Sequence, residues 1–343
     1  MISNVLASPI KSDEEIVFFP TAARLSADGL HWIVPIHAWV FEPEDDSLWR
    51  RATLSTFAAA LELDEGAADN EIFRERARWF LVDNEGSKTF ALTIWKERAL
   101  GPSGDNGHLE TEVALRRRSD GEEPDNFRLG YSAILPPGDQ REFAGDALFP
   151  GSAGLSVISD IDDTIKISDV TDRKALLANT FLKPFAAPSG MADAYHRLAD
   201  AGAMFHYVSS SPWQLYPALR EFMDASKFPL GSFHLKLFRI KDESFLNLFK
   251  SSRESKPPVI EALLDAYPRR MFILIGDSGE HDPEIYGDIA RRHAERIRHI
   301  YIRKVTPETT DDDRYREAFI DLPSSLWTLF EDAAVILPKP GSS

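Results

Sequence analysis

The spacing of apolar and polar residues predicts mainly strands in the first half of the chain. "HWIVPIHAWVFEP" at 31–43 mixes β-branched and aromatic residues with polar ones, and "HLETEVALRRR" at 108–118 alternates apolar and polar positions. Alternation is typical of half-buried strands, because successive side chains point to opposite faces of a sheet.

Three more segments complete the prediction for this half. "RARWFLVD" at 76–83 and "KTFALTIWKE" at 88–97 flank the turn-forming "NEGS", which indicates a β-hairpin. "LSTFAAALELDEG" at 54–66 has helical spacing and predicts one helix among the strands. Together these patterns predict a mainly β, sandwich-like domain over residues 1–148.

The second half shows a different pattern, in which short unbroken apolar runs alternate with helical stretches. The runs are "LSVIS", "MFHYVSS", "FILIGD" and "IRHIYIRKV", and the helical stretches begin at 190, 211 and 256. Strands without polar alternation are buried on both faces, and the intervening helices supply the crossovers between parallel strands. We therefore predict an α/β domain over 149–343, with a doubly wound, Rossmann-like parallel sheet. "SSLWTLFEDAAVIL" at 324–337 is predicted to be a last amphipathic helix.

Carboxylates follow two of these buried runs. Asp160, Asp162 and Asp163 come directly after "LSVIS", and Asp277 and Asp282 come at or just after the end of "FILIGD". Because parallel strands present their carboxyl ends at one edge of a sheet, these side chains are expected to meet there. Carboxylate oxygens suit Mg²⁺, and a cation relieves the repulsion between like charges.

Two simpler explanations of the first acidic cluster were weighed. An EF-hand counted from Asp160 needs Gly at position six and Glu at position twelve, where this chain has Ile165 and Thr171. That pattern is excluded. Helix capping or turn formation, in which Asp is common, stays open for this segment taken alone.

Two further groups complete a possible phosphate site. Ser209 lies in "SSSPW" at the end of a predicted strand, just before a helix, where hydroxyls and backbone N–H groups bind anions. Lys256 precedes Pro257 and Pro258, where a helix is expected to begin, because proline is favourable at the first helical position.

The order aspartates, hydroxyl, lysine, aspartates resembles the four motifs of the haloacid dehalogenase superfamily of phosphotransferases, over about residues 155–305. "SDIDDTIKISDV", "YVSSSPWQLYP" and "ILIGDSGEHDPEIY" further resemble the actin-patch-type phosphatidate phosphatase family and its bacterial members. One departure is Ser210. The family commonly has "SNSPW" here, with asparagine at this position, so a contact made by the asparagine side-chain amide is not carried over to this chain.

This resemblance implies a role for each motif residue. Asp160 would be the nucleophile that forms an aspartyl-phosphate, and Asp162 would protonate the leaving oxygen and later activate water. Mg²⁺ would be held by Asp160, the backbone carbonyl of Asp162, and Asp277. Ser209 would bind a phosphoryl oxygen, and Lys256 would neutralise phosphate charge and steady Asp160.

The resemblance implies less direct roles for other neighbours. Asp282 is expected to orient a metal-bound water or Lys256 rather than bind the metal. Thr164 is expected to support the turn of the first motif, and Asp163 to contact a metal-bound water. Two roles are open for His281: it makes either a local structural hydrogen bond or a substrate contact.

Charge and composition restrict the partners. The 343-residue chain has a formal net charge of −16, which argues against nucleic-acid binding, and no cysteine, which excludes thiolate chemistry and disulfides. No signal peptide or transmembrane run is recognisable, so a cytoplasmic location is expected. A locally basic stretch over 227–256 is either an orienting surface for a phosphate-bearing membrane or a solvated helix face; its basic residues are Lys227, Lys236, Arg239, Lys241, Lys250, Arg253 and Lys256.

The favoured function is a Mg²⁺-dependent phosphatase that acts on phosphatidate or a related phospholipid at a membrane surface. One alternative is the same chemistry on a soluble phosphometabolite or a phosphoprotein. Another is a partner-binding protein whose phosphatase domain is vestigial. The sequence leaves open the oligomeric state, the role of the β domain, and whether residues 166–189 form a flap over the site.

Overall fold

A computed structural model describes residues 8–43, 48–64, 66–117, 126–237 and 252–338. The chain groups into two compact units. The β unit comprises residues 1–46, 81–152 and 231–233, and the α/β unit comprises residues 47–80, 153–230 and 234–343. The predicted domain division at 148/149 stays a prediction.

The β unit contains two five-stranded sheets. In the first, β1, β3, β5 and β8 all pair with the long strand β4, and in the second the order is β2-β10-β9-β6-β7. The strands are β1 (Glu15–Phe19), β2 (Thr21–Ala22), β3 (Arg24–Leu25), β4 (His31–Glu42), β5 (Asp83–Asn84), β6 (Phe90–Ile94), β7 (Lys96–Leu100), β8 (His108–Arg116), β9 (Asn126–Ile134) and β10 (Ala144–Pro150).

The two sheets share one hydrophobic core. Val34 and Ile36 of β4 lie in the same buried cluster as Leu92 and Ile94 of β6 and Phe149 of β10. Alternate residues of β8 are buried, as its sequence pattern predicts. The mainly β character of the N-terminal region is therefore confirmed.

A six-stranded sheet with the order β13-β12-β11-β14-β15-β16 belongs to the α/β unit, except that residues 231–233 of β13 are grouped with the β unit. Its strands are β11 (Gly154–Ser159), β12 (Met204–Pro212), β13 (Gly231–Lys236), β14 (Arg270–Asp277), β15 (Ile297–Arg303) and β16 (Trp327–Phe330). Pairing from β12 through β11, β14 and β15 to β16 is parallel. The chain runs outward from β11 in one direction and then from β14 in the other. The predicted doubly wound parallel sheet is confirmed, and its topological switch point lies between β11 and β14.

The helices are all assigned to this unit. They are α1 (Leu48–Ala60), α2 (Glu71–Ala77), α3 (Arg173–Phe181), α4 (Met191–Asp200), α5 (Tyr216–Ala225), α6 (Ser252–Ala266), α7 (Asp282–Arg292) and α8 (Asp313–Ala318). Short 3₁₀ turns cover Ala67–Asp69, Arg78–Phe80, Trp213–Leu215, Ser324–Leu326 and Ala333–Val335. Within the described ranges, no helix is both long and apolar enough to cross a bilayer.

The predicted hairpin between 76–83 and 88–97 is wrong. Residues 71–80 are helical, and the hairpin instead joins β6 to β7 around Trp95. Phe73, Ala77 and Phe80 recur at helical spacing and are all buried. The rings of Phe73 and Phe80 pack against Phe57 of α1 and Phe181 of α3. Tertiary burial of these aromatic side chains overrides their β propensity.

The predicted C-terminal helix over 324–337 is also wrong. Trp327–Phe330 instead forms β16, with Ile300 opposite Trp327 and Arg303 opposite Phe330. β16 pairs with backbone groups at the edge of β15 that would otherwise lack sheet partners. Short apolar runs fit either a strand or a helix, and here the edge of the sheet decides.

A buried histidine of β12 is expected to make folding sensitive to acid. His206 is fully buried and stacks on Tyr267 with ring centroids 5.4 Å apart. Burial, and then the charges of His234 and Arg270, lower its pKa well below the ordinary value of 6.5. The unfolded chain therefore takes up the proton first as the pH falls below 6.5, and stability is lost there at up to about 1.4 kcal/mol per pH unit.

Urea unfolding at about pH 7.5 and about pH 5.5 measures this loss. We expect His206→Phe to lose about 1.4 kcal/mol less than the wild type over that range. His31→Phe is the matched control, at a side chain that is 42% exposed. Equal losses in the wild type and His206→Phe would show that His206 is not the acid-sensitive group.

Candidate active site

The strand register brings the predicted motifs to one level of the sheet. Ser159, the last residue of β11, lies opposite Tyr207 of β12 and Ile275 of β14. Ser209 and Asp277 each lie two residues beyond those partners. The Asp160 N–H, one residue past β11, donates to the Ile275 carbonyl at 2.9 Å, so Asp160 stays bound to the sheet. The switch-point edge therefore carries the acidic residues of both motifs.

Lys256 lies at the centre of this edge. Its Nζ is 2.9 Å from Asp160 Oδ1, 2.6 Å from Asp282 Oδ1 and 3.0 Å from Glu280 Oε2. Lys256, Asp160 and Asp282 are each at most 1% exposed. The prediction that a helix begins at Pro257 is wrong, because α6 begins at Ser252 and contains Lys256. Sequence reasoning identified the lysine and Asp282 but missed Glu280.

The loop after β14 is tightly constrained around Asp282. A Cβ atom at Gly276 would overlap the Asp282 carboxylate, so glycine permits this close approach. Asp282 Oδ2 accepts a hydrogen bond from the Asp277 N–H at 3.2 Å. Arg314 of α8 donates to the carbonyls of Ser278 and Glu280 and pairs with the Glu284 carboxylate. Arg314 therefore positions the loop, a role that no sequence motif indicates.

Asp277 has one buried oxygen available for a ligand. Its Oδ1 accepts from the N–H groups of Gly279 and Glu280 at 2.6 and 3.0 Å. Its Oδ2 is buried and has no hydrogen-bond partner among the residues that the structure describes. Asp160, Asp277 and Asp282 each offer an oxygen within 4.8 Å of the others, so the three carboxylates could hold a metal ion. A hard oxygen donor set with an orphaned carboxylate oxygen fits Mg²⁺.

The electrostatics of the cluster also favour a cation. Burial, and then the charges of Asp282 and Glu280, raise the pKa of Asp277 well above its ordinary value. Burial likewise raises the pKa of Asp160, although Lys256 opposes the rise. For Lys256, burial lowers the pKa, but the surrounding carboxylates outweigh it and raise the pKa well above its ordinary value. One ammonium thus faces several buried acids, and added positive charge would favour their ionised forms.

Asp162 belongs to a separate hydrogen-bond network next to Asp160. Its Oδ1 lies 2.7 Å from Lys166 Nζ and accepts from Ser168 Oγ at 2.7 Å. Its Oδ2 accepts from Ser209 Oγ at 3.1 Å and from Ser211 Oγ at 2.8 Å. Burial disfavours its charge, but Lys166 and the hydroxyls of Ser168 and Ser211 lower its pKa to about 2. Asp162 is therefore ionised in this arrangement, and sequence reasoning missed both Lys166 and Ser211.

Asp163 and Thr164 shape the first motif. The Asp163 carboxylate accepts from the backbone N–H groups of Ser168, Asp169 and Val170. These contacts stabilise its left-handed backbone, with φ of 51°. Thr164 Oγ1 donates to Asp160 Oδ2 at 3.3 Å. In this structure Asp163 organises the following loop, and the metal-water contact expected of it stays a prediction.

Ser210 and His281 make no hydrogen bond or ion pair with the carboxylates around Lys256 among the described residues. The Ser210 hydroxyl is 3.1 Å from that of Ser255 in α6. His281 is exposed, precedes α7 and makes no side-chain cap for that helix. The substrate contact considered for His281 stays a prediction, and no family contact is carried over to Ser210.

Residues 166–189 form a folded, packed segment. The Ile167 N–H donates to the Ala186 carbonyl at 2.8 Å, and α3 packs on α2 through aromatic rings. Arg76 of α2 donates to the Thr180 carbonyl and lies 3.6 Å from the centre of the Phe185 ring. Lys166 Nζ lies 4.8 Å from the centre of the same ring. The helical segment that interrupts the β unit in sequence is thus linked to the lysine that binds Asp162.

The basic stretch over 227–256 is only partly described. Arg239, Lys241 and Lys250 lie outside the described residues. Lys227 and Arg253 are exposed, whereas Lys256 is buried in the acidic cluster. An orienting role for this stretch stays a prediction.

The fold and the cluster define an α/β domain with an acidic site around one lysine at the switch point of a parallel sheet. Residues 155–304 match the family profile described as "Phosphatidate phosphatase APP1, catalytic domain". This part of the chain is similar to that catalytic-domain family, and the match confirms the resemblance stated from the motifs.

Two fungal proteins match part of the chain. The chain is similar to the phosphatidate phosphatase APP1 of Saccharomyces cerevisiae, with 38% identity over 162 residues that make up 46% of this chain and 27% of the yeast protein. An uncharacterized protein of Schizosaccharomyces pombe is 33% identical over 156 residues, which make up 44% of this chain and 25% of that protein. The matches thus span about a quarter of each relative's length.

Among solved structures, a D,D-heptose 1,7-bisphosphate phosphatase from Burkholderia thailandensis was found at 14% identity and a TM-score of 0.24. The match covers 52% of this chain and 92% of the other. A likeness at this level supports no conclusion about fold or function.

Proposed function

We propose that this protein is a Mg²⁺-dependent phosphomonoesterase that works through an aspartyl-phosphate, with phosphatidate or a related phospholipid as substrate. The observation that carries this proposal is the cluster of Asp160, Asp277 and Asp282 beside Lys256, in which one Asp277 oxygen has no partner within the described part of the chain. The family match of residues 155–304 supports the same reaction class.

In this proposal Asp160 attacks phosphorus and the ester oxygen leaves, so that one difficult displacement becomes two easier ones. Lys256 contacts Asp160 at 2.9 Å and can balance negative charge on both the carboxylate and the phosphoryl group. Ser209 lies beside the site and can donate to a phosphoryl oxygen in exchange for its contact with Asp162. Water then attacks the phospho-enzyme and restores Asp160.

Asp162 is the proposed acid and base. Its ionised state, held by Lys166, suits the second half of the reaction, in which it accepts a proton from the attacking water. Donation to the leaving oxygen requires the contact with Lys166 to weaken, so that Asp162 can hold a proton. Lys166 therefore has a direct influence on both half-reactions.

Asp160 and Asp277 are the proposed Mg²⁺ ligands, together with the backbone carbonyl of Asp162. Bound Mg²⁺ supplies positive charge that polarises the phosphoryl oxygens. Asp282 contacts Lys256 with one oxygen and the Asp277 N–H with the other. These contacts support a role in which Asp282 orients its neighbours.

Magnesium binding can be tested without turnover. We expect Mg²⁺ to raise the melting temperature, because a ligand at 100 times its Kd stabilises the folded state by about 2.7 kcal/mol. Asp277→Asn should lose most of this shift. Asp288→Asn, at a carboxylate that is 58% exposed in α7, is the control and should keep it. An undiminished shift in Asp277→Asn would place the metal elsewhere.

Two assays test the reaction and the substrate. Release of phosphate from p-nitrophenyl phosphate, with and without Mg²⁺, tests whether the domain is an active phosphatase or a vestigial one that serves partner binding. Phosphatidate in mixed micelles, beside a panel of soluble phosphoesters and a phosphopeptide, tests the substrate class. A preference for a soluble phosphoester or the phosphopeptide would support the same chemistry on a different substrate.

A further inference from the structure

The Lys256 ammonium lies within 3.0 Å of three carboxylates and donates a hydrogen bond to one of them, Asp282. The partners are Asp160 at 2.9 Å, Asp282 at 2.6 Å and Glu280 at 3.0 Å. An ammonium has three N–H donors and accepts nothing. A phosphoryl oxygen that approaches Lys256 therefore competes with these carboxylates for the space and the donors around its ammonium.

Two of the three partners are held in place. Asp160 and Asp282 are 1% and 0% exposed. Asp160 also accepts from Thr164, and its backbone is bound to β14. Asp282 also accepts from the Asp277 N–H and packs where Gly276 leaves room for it. Moving either would break further contacts in the core of the site.

Glu280 is held differently. Its backbone is fixed, because its N–H donates to Asp277 Oδ1 and its carbonyl accepts from Arg314. Its side chain, however, is 21% exposed. Within the described residues, Lys256 is the sole partner of the Glu280 carboxylate. Side-chain rotation alone could therefore carry this carboxylate into solvent while the loop stays in place.

We propose that Glu280 occupies the position that a phosphoryl oxygen takes on Lys256, and that the substrate displaces it. This inference rests on the proposed phosphatase function and adds a residue that sets the affinity of the site for phosphate. Three carboxylates contact the ammonium and Asp277 lies close to two of them, so an entering phosphate dianion meets like charge. Outward rotation of Glu280 removes the competing charge and opens that side of the Lys256 ammonium in one movement.

Removal of the Glu280 carboxylate should therefore tighten phosphate binding. We expect Glu280→Ala to lower the Kd for inorganic phosphate about tenfold, which corresponds to about 1.4 kcal/mol. The KM for p-nitrophenyl phosphate should fall with it. Glu280→Gln removes the charge but keeps an acceptor for Lys256, so a smaller change in the same direction is expected.

The experiment is a calorimetric titration of inorganic phosphate into the full-length wild type and both variants, in the presence of Mg²⁺. Glu254→Ala is the matched control, because Glu254 is an exposed acid of α6 two residues from Lys256. It removes the same charge without touching the contact, and the phosphate Kd should stay within about twofold of the wild type. If Glu280→Ala does not fold, Glu280→Gln carries the test.

An unchanged phosphate Kd in the Glu280 variants would overturn the proposal, as would equal tightening in Glu254→Ala or no phosphate binding in any variant. Turnover of p-nitrophenyl phosphate by the same proteins separates this question from the proposed function. Tighter phosphate binding without turnover in any variant would support the role of Glu280 and refute the phosphatase proposal. Turnover with an unchanged phosphate Kd would support the phosphatase proposal and refute the role of Glu280.

Discussion

Asp160→Asn is expected to abolish phosphatase turnover while the protein stays folded. The amide cannot form the phospho-enzyme, and loss of a nucleophile that acts together with its neighbours costs about a thousandfold or more in rate. The amide oxygen has the same shape as the carboxylate oxygen and can still accept from Lys256, which lies 2.9 Å from Asp160. The initial rate of p-nitrophenyl phosphate hydrolysis, with circular dichroism as a check on folding, measures the effect.

Asp193→Asn is the control for this substitution. Asp193 is an exposed residue of α4, and its variant should keep the wild-type rate. Retention of more than about a few per cent of the wild-type rate in a pure sample of Asp160→Asn would contradict its assignment as nucleophile.

Lys256→Met should cause the largest loss of stability. Methionine fills a similar volume, but it leaves the carboxylates of Asp160, Asp282 and Glu280 without the cation that now contacts all three. Removing one partner of a buried ion pair costs about 3–5 kcal/mol, because the remaining charge is left uncompensated. Urea unfolding at neutral pH measures the free energy, and turnover should be lost as well.

A surface lysine provides the comparison. Lys304 pairs with Glu331 at 2.9 Å, and the Glu331 side chain is 73% exposed. Lys304→Met should change the free energy of unfolding by at most about 1 kcal/mol, as is usual for exposed pairs. A similarly small change in Lys256→Met would mean that the acids of the cluster are neutral in the free protein and do not depend on the lysine.

Several parts of the site were predictable because they follow from strand order and alternation. Asp160 directly follows one unbroken apolar run, and Asp277 ends another. Parallel strands place such positions at a common edge of the sheet. The motif strings around them also carried the family resemblance, which the match over 155–304 confirms. Glu280 lies inside one of those strings, so its position was visible although its contact with Lys256 was not.

Other parts were not predictable because they depend on contacts between distant segments. Arg314 reaches the loop that carries Glu280 from a helix 34 residues away in sequence. Arg76 contacts the segment after the first motif from 104 residues away. No sequence pattern around either arginine predicts its contacts, because a guanidinium that donates to backbone carbonyl groups requires no particular spacing of neighbouring residues.

The amino-acid sequence by itself determined the alternation of buried strands and helices in the second half, and the order of the acidic, hydroxyl and basic groups. It did so because burial on two faces and strand-end chemistry are local properties of short segments. Tertiary structure alone decided that 71–80 is helical, that Trp327–Phe330 is a strand, and that Glu280 joins Lys256. Those outcomes depend on which distant side chains and sheet edges a segment contacts. Where the local propensity fits both a helix and a strand, the burial and hydrogen bonds gained in the folded chain decide between them.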